Sequence, residues 1–330
     1  MKNSNNIKPP LVYVWIGKHF PEWARLALKL TNLNSGLVTI LLSSKSIGSI
    51  KEVNQQYFLE DFYIPPKKIS KDFEEKRSEF RDGFWLKTTE RFFVLQQFIN
   101  KYSLNSIFHA ELDNLIFDIS NLNYKLDSIG EGFFCPRDSL DRGIASLVYI
   151  NQPDSLTELT EMYIRNTLEH QNDMLLIGSL FKKSNNFHSL PTENAFEKNR
   201  EKKWKAISTD DTGGIFDAAS IGQFLFGIDP RNCNTPLFNG YENENRGFNL
   251  WDLKFINIIE NNRFQIIENK SNTKLNLYNI HVHSKLFNII SNQLKLSNII
   301  ESINSGKKTF MSLNFKNWRG IQRLRKQILI

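Results

Sequence analysis

Residues 108–117 read Phe-His-Ala-Glu-Leu-Asp-Asn-Leu-Ile-Phe, and this stretch carries the strongest structural signal in the chain. If residues 107–112 form a β-strand, its two-residue period sends apolar side chains to one face and polar ones to the other. His109, Glu111 and Asp113 share the polar face. Two close carboxylates repel each other unless a cation or a proton lies between them, and oxygen ligands favour Mg²⁺ or Mn²⁺. The stretch therefore predicts a divalent-metal site; the alternative is an amphipathic edge strand with solvated acids.

The composition is that of a folded protein with a large core. The chain has 330 residues, of which 40% are hydrophobic and 12% aromatic, enough for one large domain or a domain plus a lobe. It has no apolar run of about 18 residues, and residues 1–10 lack the apolar core of a secretory signal. We therefore expect a cytoplasmic protein. Cys135 and Cys233 are far apart and have no CxxC spacing, so we expect buried thiols and neither zinc nor a disulfide.

The net charge of +7 is spread along the chain except at its end. Residues 316–330 combine five basic side chains with apolar ones, which predicts a basic amphipathic helix. Such a helix binds anionic lipid or holds a phosphate-rich acceptor near the membrane; the alternative is a terminal helix docked on the core. The chain shows no RRM, KH or zinc-finger pattern, so we expect no nucleic-acid partner.

The beginning of the chain predicts a βαβ unit. Residues 11–16 and 38–42 are apolar strands, and residues 22–33 between them form a helix. Near-continuous apolar strands indicate a parallel sheet covered on both faces, with ligands at the carboxyl ends of the strands. Trp15 and Gly17 then lie at the rim of a pocket, although a simple strand-to-helix turn explains them equally well. Neither a dinucleotide-binding nor a P-loop glycine motif is present.

Helical spacing of apolar residues continues over residues 82–102, directly before the acidic strand. Lys87 and Arg91 stand four residues apart on one face of this helix and could meet a diphosphate, or they form a solvated face. Residues 156–181 read as a pair of helices. Residues 182–205 are polar and basic, and we interpret them as a mobile excursion or lid.

An acidic, glycine-containing loop follows at residues 210–217. Acids such as Asp211 and Asp217 on such a loop suit a general base or the binding of sugar hydroxyls. The alternative is a set of turn residues in which Asp217 caps a helix over residues 218–227.

A second strand pattern occurs late in the chain, at residues 275–283. Its alternation places Asn279, His281 and His283 on one face. Because imidazole ligates Mn²⁺ and can donate to a phosphate, either histidine could complete the metal site, with Lys285 close by.

Taken together, these features resemble nucleotide-sugar glycosyltransferases of the GT-A type. The resemblance rests on the apolar strand with its Trp-x-Gly turn, the acid-x-acid motif Glu111-Leu112-Asp113 after a hydrophobic strand, and the late histidine. It covers the first 120 residues best. It implies an α/β fold with a mostly parallel central sheet flanked by helices, a helical insertion and C-terminal helices. Residues 1–285 would form the catalytic domain, and residues 286–330 a helical, basic tail.

In such a family the acid-x-acid motif and the late histidine hold a divalent cation on the donor's diphosphate. Here Glu111, Asp113 and His281 or His283 would bind Mn²⁺ or Mg²⁺ with a donor of the UDP or GDP type. Glutamate in the first position departs from the usual Asp-x-Asp. The residues that would line the donor site are Trp15, Gly17, Lys87, Arg91, His109 and Lys285.

The same resemblance implies transfer of a sugar to an acceptor. The basic tail and the lack of a secretory signal add the expectation of a glycan or lipid-linked acceptor, in surface polysaccharide synthesis at the inner face of the membrane. An inverting reaction needs a base to activate the acceptor hydroxyl. Asp217 is the first candidate, followed by Asp211 and Asp173.

The same residues are also compatible with two other classes of protein. His109, Glu111 and His281 spell the two-histidine, one-carboxylate triad of non-haem Fe(II) oxygenases. Those enzymes are expected on jelly rolls, whereas this sequence predicts long helices beside its strands. A non-catalytic carbohydrate-binding protein is the other alternative, because a motif that begins with glutamate could have lost its metal.

Overall fold

The computed structural model describes residues 8–69, 71, 80–165, 172–197, 206–229, 239–258 and 263–308. Within these residues the strands form one large sheet and two smaller ones, and helices cover both faces of the large sheet.

Four parallel strands form the first half of the large sheet. They are β1 (Leu11–Trp15), β2 (Thr39–Ser43), β3 (Gln55–Phe58) and β4 (Ile107–Ala110), in the order β3-β2-β1-β4. The carboxyl ends of all four therefore meet at one edge. The next strand, β5 (Asn114–Ile116), leaves this sheet.

The second half of the sheet mixes strand directions. β6 (Phe133–Ser139) turns back as a hairpin into β7 (Arg142–Gly143), and β8 (Leu147–Ile150) runs antiparallel between β4 and β6. β9 (Phe187–Leu190) pairs with β6 in parallel.

Helices cover both faces of this sheet. α1 (Glu22–Asn34) and α3 (Leu122–Ile129) contribute to the core on one face, and α2 (Phe80–Tyr102) to the core on the other. α4 (Pro153–Arg165) and α5 (Asp173–Lys183), the predicted helical insertion, share the face of α2.

Strand β1 shows why both faces are covered. Its alternate residues Leu11 and Tyr13 belong to the core under α1 and α3, whereas Val12 belongs to the core under α2, α4 and α5. A fully apolar strand can bury both sets only in a three-layer arrangement. The predicted fold class, an α/β protein with a largely parallel central sheet flanked by helices, is confirmed.

The two smaller sheets lie later in the chain. β10 (Gly214–Ile215), β11 (Leu253–Ile258), β12 (Arg263–Glu268) and β13 (Lys274–Leu277) form a sheet in the order β10-β13-β12-β11. β14 (Asn279–His281) pairs with β5 in antiparallel fashion, which ties the end of the chain to the acidic motif.

Helix α6 (Thr209–Thr212) packs on α3. The second core is completed by α7 (Ser220–Phe226), α8 (Phe287–Ile290) and α9 (Gln293–Asn304). Side chains of α8 and α9 share one core with α1, β5 and the second sheet. Because this core spans residue 285, we do not propose a domain boundary there. Among the described residues, 3-10 helices lie at Lys45–Ile47, Leu59–Asp61, Glu193–Phe196 and Leu250–Asp252.

Two predicted strands are shorter than expected. The acidic strand ends at Ala110, and residues 111–113 form a turn. The predicted strand over residues 275–283 is divided at Tyr278, because β13 pairs with β12 and β10 whereas β14 pairs with β5. His283 lies beyond the end of β14.

The predicted lid over residues 182–205 is wrong for the part that the structure describes. α5 continues to Lys183, and β9 is a parallel partner of β6 with Phe187 and Leu190 buried. A hydrogen-bonded strand packed into the core has no freedom to act as a lid. Residues 198–205 and the basic tail over 316–330 lie outside the described residues.

No described helix has both the length and the apolar content that a membrane span requires.

Candidate active site

The acid-x-acid motif forms the turn that joins β4 to β5. The backbone and side-chain amides of Asn114 donate to the carbonyl oxygen of Glu111 at 3.1 and 3.3 Å, which closes the turn. Leu112 is buried in the core under α1 and α3. Since the apolar residue turns inwards, the carboxylates of Glu111 and Asp113 remain at the carboxyl end of β4, where parallel sheets bind ligands.

Strand pairing brings His281 to this turn. β14 lies antiparallel to β5 with His281 opposite Asn114. The Nε2 atom of His281 is 3.2 Å from Oε2 of Glu111 and 3.3 Å from Oδ2 of Asp113. Ligand atoms of the three residues all lie within 4.8 Å of one another. Of the four residues predicted as metal ligands, the structure thus brings together these three.

The ring of His281 is oriented by the loop that precedes α7. Its Nδ1 is 2.8 Å from the carbonyl oxygen of Ala218, and since a carbonyl only accepts, Nδ1 carries the proton and donates. Its backbone N–H donates to Oδ2 of Asp217 at 2.8 Å. A metal-binding histidine commonly donates its second ring N–H in this way, which leaves Nε2 directed at the ion.

Asp217 is a positioning residue and not the predicted base. It is fully buried, and its carboxylate accepts backbone N–H groups from Ile221, Gly222 and His281. Burial raises the pKa of Asp217 to about 6 although these donors and the charge of His281 lower it. Because both oxygens are occupied by the protein, the carboxylate is not available to an acceptor hydroxyl. Its capping of α7 agrees with the alternative interpretation of the loop.

Glu111, Asp113, His281 and Lys285 form a cluster in which the charges balance. Burial lowers the pKa of His281, but the carboxylates of Asp113 and Glu111 outweigh it and raise the value to about 9. Burial likewise raises the pKa of Asp113, but the charges of Lys285 and His281 hold it well below its usual range. The ammonium group of Lys285 contacts Oδ2 of Asp113 directly. Protonated His281 and Lys285 thus neutralise the two acids of the motif.

Two carboxylates and one oriented imidazole fit a divalent ion such as Mn²⁺. Binding requires Nε2 of His281 to lose its proton and Lys285 to release Asp113, because both cations occupy the oxygens that an ion would use. The fit supports the predicted metal ligands Glu111, Asp113 and His281. The ring of His283 contacts that of His281 in a tilted arrangement, with centroids 4.1 Å apart, and the pKa of His283 is lowered by burial and by the charge of His281.

The turn after β1 reaches the cluster through an aromatic contact. The indole N–H of Trp15 donates to the carbonyl oxygen of His19 at 3.0 Å, and a side chain at Gly17 would press on that indole. Trp15 contacts Trp23 on α1, with centroids 6.4 Å apart, and Trp23 lies 5.4 Å from the ammonium of Lys285. Two predicted donor-site residues, Trp15 and Lys285, therefore lie on either side of Trp23.

Arg91 and Asp173 form a buried ion pair behind the cluster. The guanidinium donates to Oε1 of Glu111 and to Oδ2 of Asp173, each at 2.6 Å. Arg91 is therefore not free to bind a diphosphate as predicted, and Asp173, with 3% of its side chain exposed, is not free to act as a base.

The remaining predicted residues lie apart from the cluster. His109 is buried and its Nδ1 lies 2.9 Å from the carbonyl oxygen of Val12. Burial and the charge of Arg91 lower its pKa to about 3. Its ring is turned towards β1, so His109, Glu111 and His281 do not form the triad of an iron oxygenase. Lys87 is half-buried on α2, and Asp211 is exposed on α6, which packs on α3.

Several residues that hold the site were not predicted from the sequence. Ala218 accepts from His281, Thr88 donates to Asp173, and Trp23 faces Lys285. Their local sequence gives no signal, because each acts through a neighbour that is distant along the chain. Asn279 was placed on the polar face; in the structure its amide group joins Asn114 to the carbonyl oxygen of Asp217.

Neither a protein-family model nor a curated protein matches the sequence. Among solved structures, mouse xyloside xylosyltransferase 1 is 12% identical with a TM-score of 0.36, over 56% of this chain and 85% of that one. The glycosyltransferase GlyE of Streptococcus pneumoniae is 16% identical with a TM-score of 0.32, over 61% of this chain and half the length of that one. The galactosyltransferase LgtC with donor and acceptor sugar analogues is 10% identical with a TM-score of 0.30, over 56% of this chain and 74% of that one. These similar structures are glycosyltransferases. Since every one of these TM-scores is below 0.5, the functional conclusion depends on the geometry of the site.

Proposed function

We propose that this protein is a glycosyltransferase that moves a sugar from a nucleotide-sugar donor of the UDP or GDP type to a glycan or lipid-linked acceptor. Glu111, Asp113 and His281 would hold Mn²⁺ or Mg²⁺. The observation that carries the proposal is the convergence of these side chains at the carboxyl end of β4, with His281 oriented by Ala218.

The chemistry of donor cleavage explains why such a cluster is useful. A bound divalent cation neutralises the negative charge that develops on the diphosphate leaving group. Lys285 carries the second positive charge on this side of the site, and its flexible side chain can transfer its hydrogen bonds from Asp113 to a phosphate oxygen. The left-handed backbone of Lys285, with φ of 60°, directs the side chain back towards the turn.

Further aspects of the proposal concern the setting of the reaction. We infer that Trp15 and Gly17 border the nucleoside end of the donor, because their turn meets Lys285 through Trp23. We also propose that the protein acts in the cytoplasm in surface polysaccharide synthesis, with residues 316–330 in contact with anionic lipid.

Metal-dependent donor binding tests the function. We expect Mn²⁺ together with the correct member of a panel of UDP- and GDP-sugars to raise the melting temperature. At a ligand concentration of about 100 times Kd, the stabilisation is about 2.7 kcal/mol. Asp113→Asn and His281→Gln should abolish this shift and the metal-dependent hydrolysis or transfer of the sugar, because each removes one ligand.

The matched control is Asp154→Asn, which changes an exposed aspartate in the first turn of α4. It should retain both the shift and the turnover. Circular dichroism establishes that each variant is folded. Turnover at the wild-type rate in folded Asp113→Asn and His281→Gln would refute the proposed function.

A further inference from the structure

Arg91 is a charged residue whose side chain is only 8% exposed, and both of its terminal nitrogens contact carboxylates. A planar guanidinium that makes one hydrogen bond with each arm is fixed in direction as well as in position. Removing a buried charge of this kind leaves its partners uncompensated. The guanidinium is thus part of the framework of the site.

The two carboxylate oxygens of Glu111 have different partners, Arg91 and His281. Oε1 accepts from Arg91 at 2.6 Å, and Oε2 lies 3.2 Å from Nε2 of His281. A glutamate has three rotatable side-chain bonds, and holding them in one arrangement costs conformational entropy. Arg91 reduces that freedom before any ligand binds, because its hydrogen bond to Oε1 directs Oε2 towards His281 and Asp113.

The other arm of Arg91 is held by two helices. Asp173 is the first residue of α5, and its Oδ2 accepts from Arg91. Its Oδ1 lies 3.1 Å from the hydroxyl of Thr88 on α2, which shares its single proton with the carbonyl oxygen of Trp85 at 2.9 Å. The N-cap Asn172 accepts the backbone N–H of Leu175 and fixes the start of α5. A series of hydrogen bonds, Thr88–Asp173–Arg91–Glu111, therefore connects α2 and α5 to the turn that carries Glu111 and Asp113.

His109 adjoins the same guanidinium without competing for its carboxylates. Its Nδ1 lies 2.9 Å from the carbonyl oxygen of Val12, so the ring is directed towards β1. The carboxylates of Glu111 and Asp173 accept from Arg91 instead.

We propose that Arg91 is a positioning residue: together with Asp173 and Thr88 it preorganises Glu111 for the divalent ion. This inference rests on the proposed function, because it assumes that the cluster binds a metal. It assigns Arg91 and Asp173 to the support of the site, where the sequence predicted a diphosphate contact and a base. Partners of metal ligands commonly change metal affinity by about 10- to 100-fold when they are removed.

The test measures Mn²⁺ binding to the full-length protein without any nucleotide-sugar, by the electron paramagnetic resonance signal of free Mn²⁺. Arg91→Lys keeps the charge but loses the two-armed geometry, and we expect its Kd to rise by about 10- to 100-fold. The spectrum of bound Mn²⁺ should also change, because the orientation of Glu111 changes. The matched control is Arg165→Lys in the exposed pair with Glu161, which should leave Kd and spectrum unchanged.

Thr88→Val is the second variant, and it decides the result if Arg91→Lys does not fold. It removes one hydroxyl and keeps both ion pairs, so we expect a rise in Kd of a few-fold. The role of Arg91 would be overturned if folded Arg91→Lys had the Kd and spectrum of the wild type. If only Thr88→Val folds, wild-type values in that variant would overturn it. Either result would leave the metal site itself intact. No Mn²⁺ binding by the wild-type protein would instead overturn the metal site, and the role of Arg91 with it.

Discussion

Glu193 provides a quantitative test of the electrostatics beneath the site. It lies in the 3-10 helix Glu193–Phe196, and only 1% of it is exposed. Its Oε1 faces the backbone N–H of Gly247 at the long distance of 3.5 Å, and Oε2 has no partner among the described residues. Burial, with the charge of Asp217 as the second cause, raises the pKa of Glu193 from 4.5 to about 7.

The direction of the effect on stability follows from this shift. Between pH 4.5 and 7 the folded protein holds the proton on Glu193 more tightly than the unfolded chain does. The free energy of unfolding must therefore fall as the pH rises through this range. A shift of about 2.5 units corresponds to about 3 kcal/mol, of which about 2.5 kcal/mol is lost between pH 5 and pH 8.

Glu193→Gln should remove this loss, because glutamine stays neutral and can still accept from Gly247. We expect the stability difference between the variant and the wild type to change by about 2.5 kcal/mol in favour of the variant from pH 5 to pH 8. Asp217 titrates in both proteins, but its charge interacts with that of Glu193, so the difference between the proteins reports Glu193 together with this interaction. Urea unfolding at both pH values measures it, with Glu301→Gln on the exposed face of α9 as control. An equal pH dependence in the wild type and Glu193→Gln would refute the assignment of the buried charge.

Two further predictions concern the support of His281 and the end of the chain. A side chain at Gly222 would overlap the carbonyl oxygen of His281 and crowd Asp217, so Gly222→Ala should lower stability by about 1–3 kcal/mol and weaken Mn²⁺ binding. Urea unfolding and Mn²⁺ titration measure both effects, and wild-type values in both would contradict the close packing of α7 on β14. Removing residues 316–330 should reduce co-sedimentation with anionic liposomes, because five basic side chains are lost; unchanged partitioning would exclude this segment as the lipid contact.

The elements predicted correctly from sequence are those with a strong local pattern. β1, α1 and the long helix α2 are marked by continuous apolar strands or by helical spacing, and their bounds differ by few residues from those expected. The division at Tyr278 could not be predicted in this way. Residues 275–283 alternate throughout, and only the choice of partner strands separates β13 from β14. Long-range pairing overrides local periodicity there.

Local sequence patterns were also insufficient to predict how the site residues are arranged. The sequence indicated that Glu111 and Asp113 converge, but through a strand, whereas the structure achieves it through a turn closed by Asn114. The roles of Arg91, Asp173 and Asp217 were predicted as chemical because charged residues in a sequence resemble functional ones. Burial and partners, which decide between function and support, exist only in the folded chain.

The glutamate at the first position of the acid-x-acid motif now has a structural reason. Its carboxylate contacts two groups that lie on opposite sides of it, Arg91 at 2.6 Å and His281 at 3.2 Å. An aspartate is shorter by one carbon–carbon bond of about 1.5 Å, so from the same backbone it could not keep both contacts. The longer side chain therefore lets residue 111 connect the ion pair between α2 and α5 to the side chain of His281. The departure from Asp-x-Asp is therefore compatible with the proposed metal site, because the added length is matched by the buried arginine that holds it.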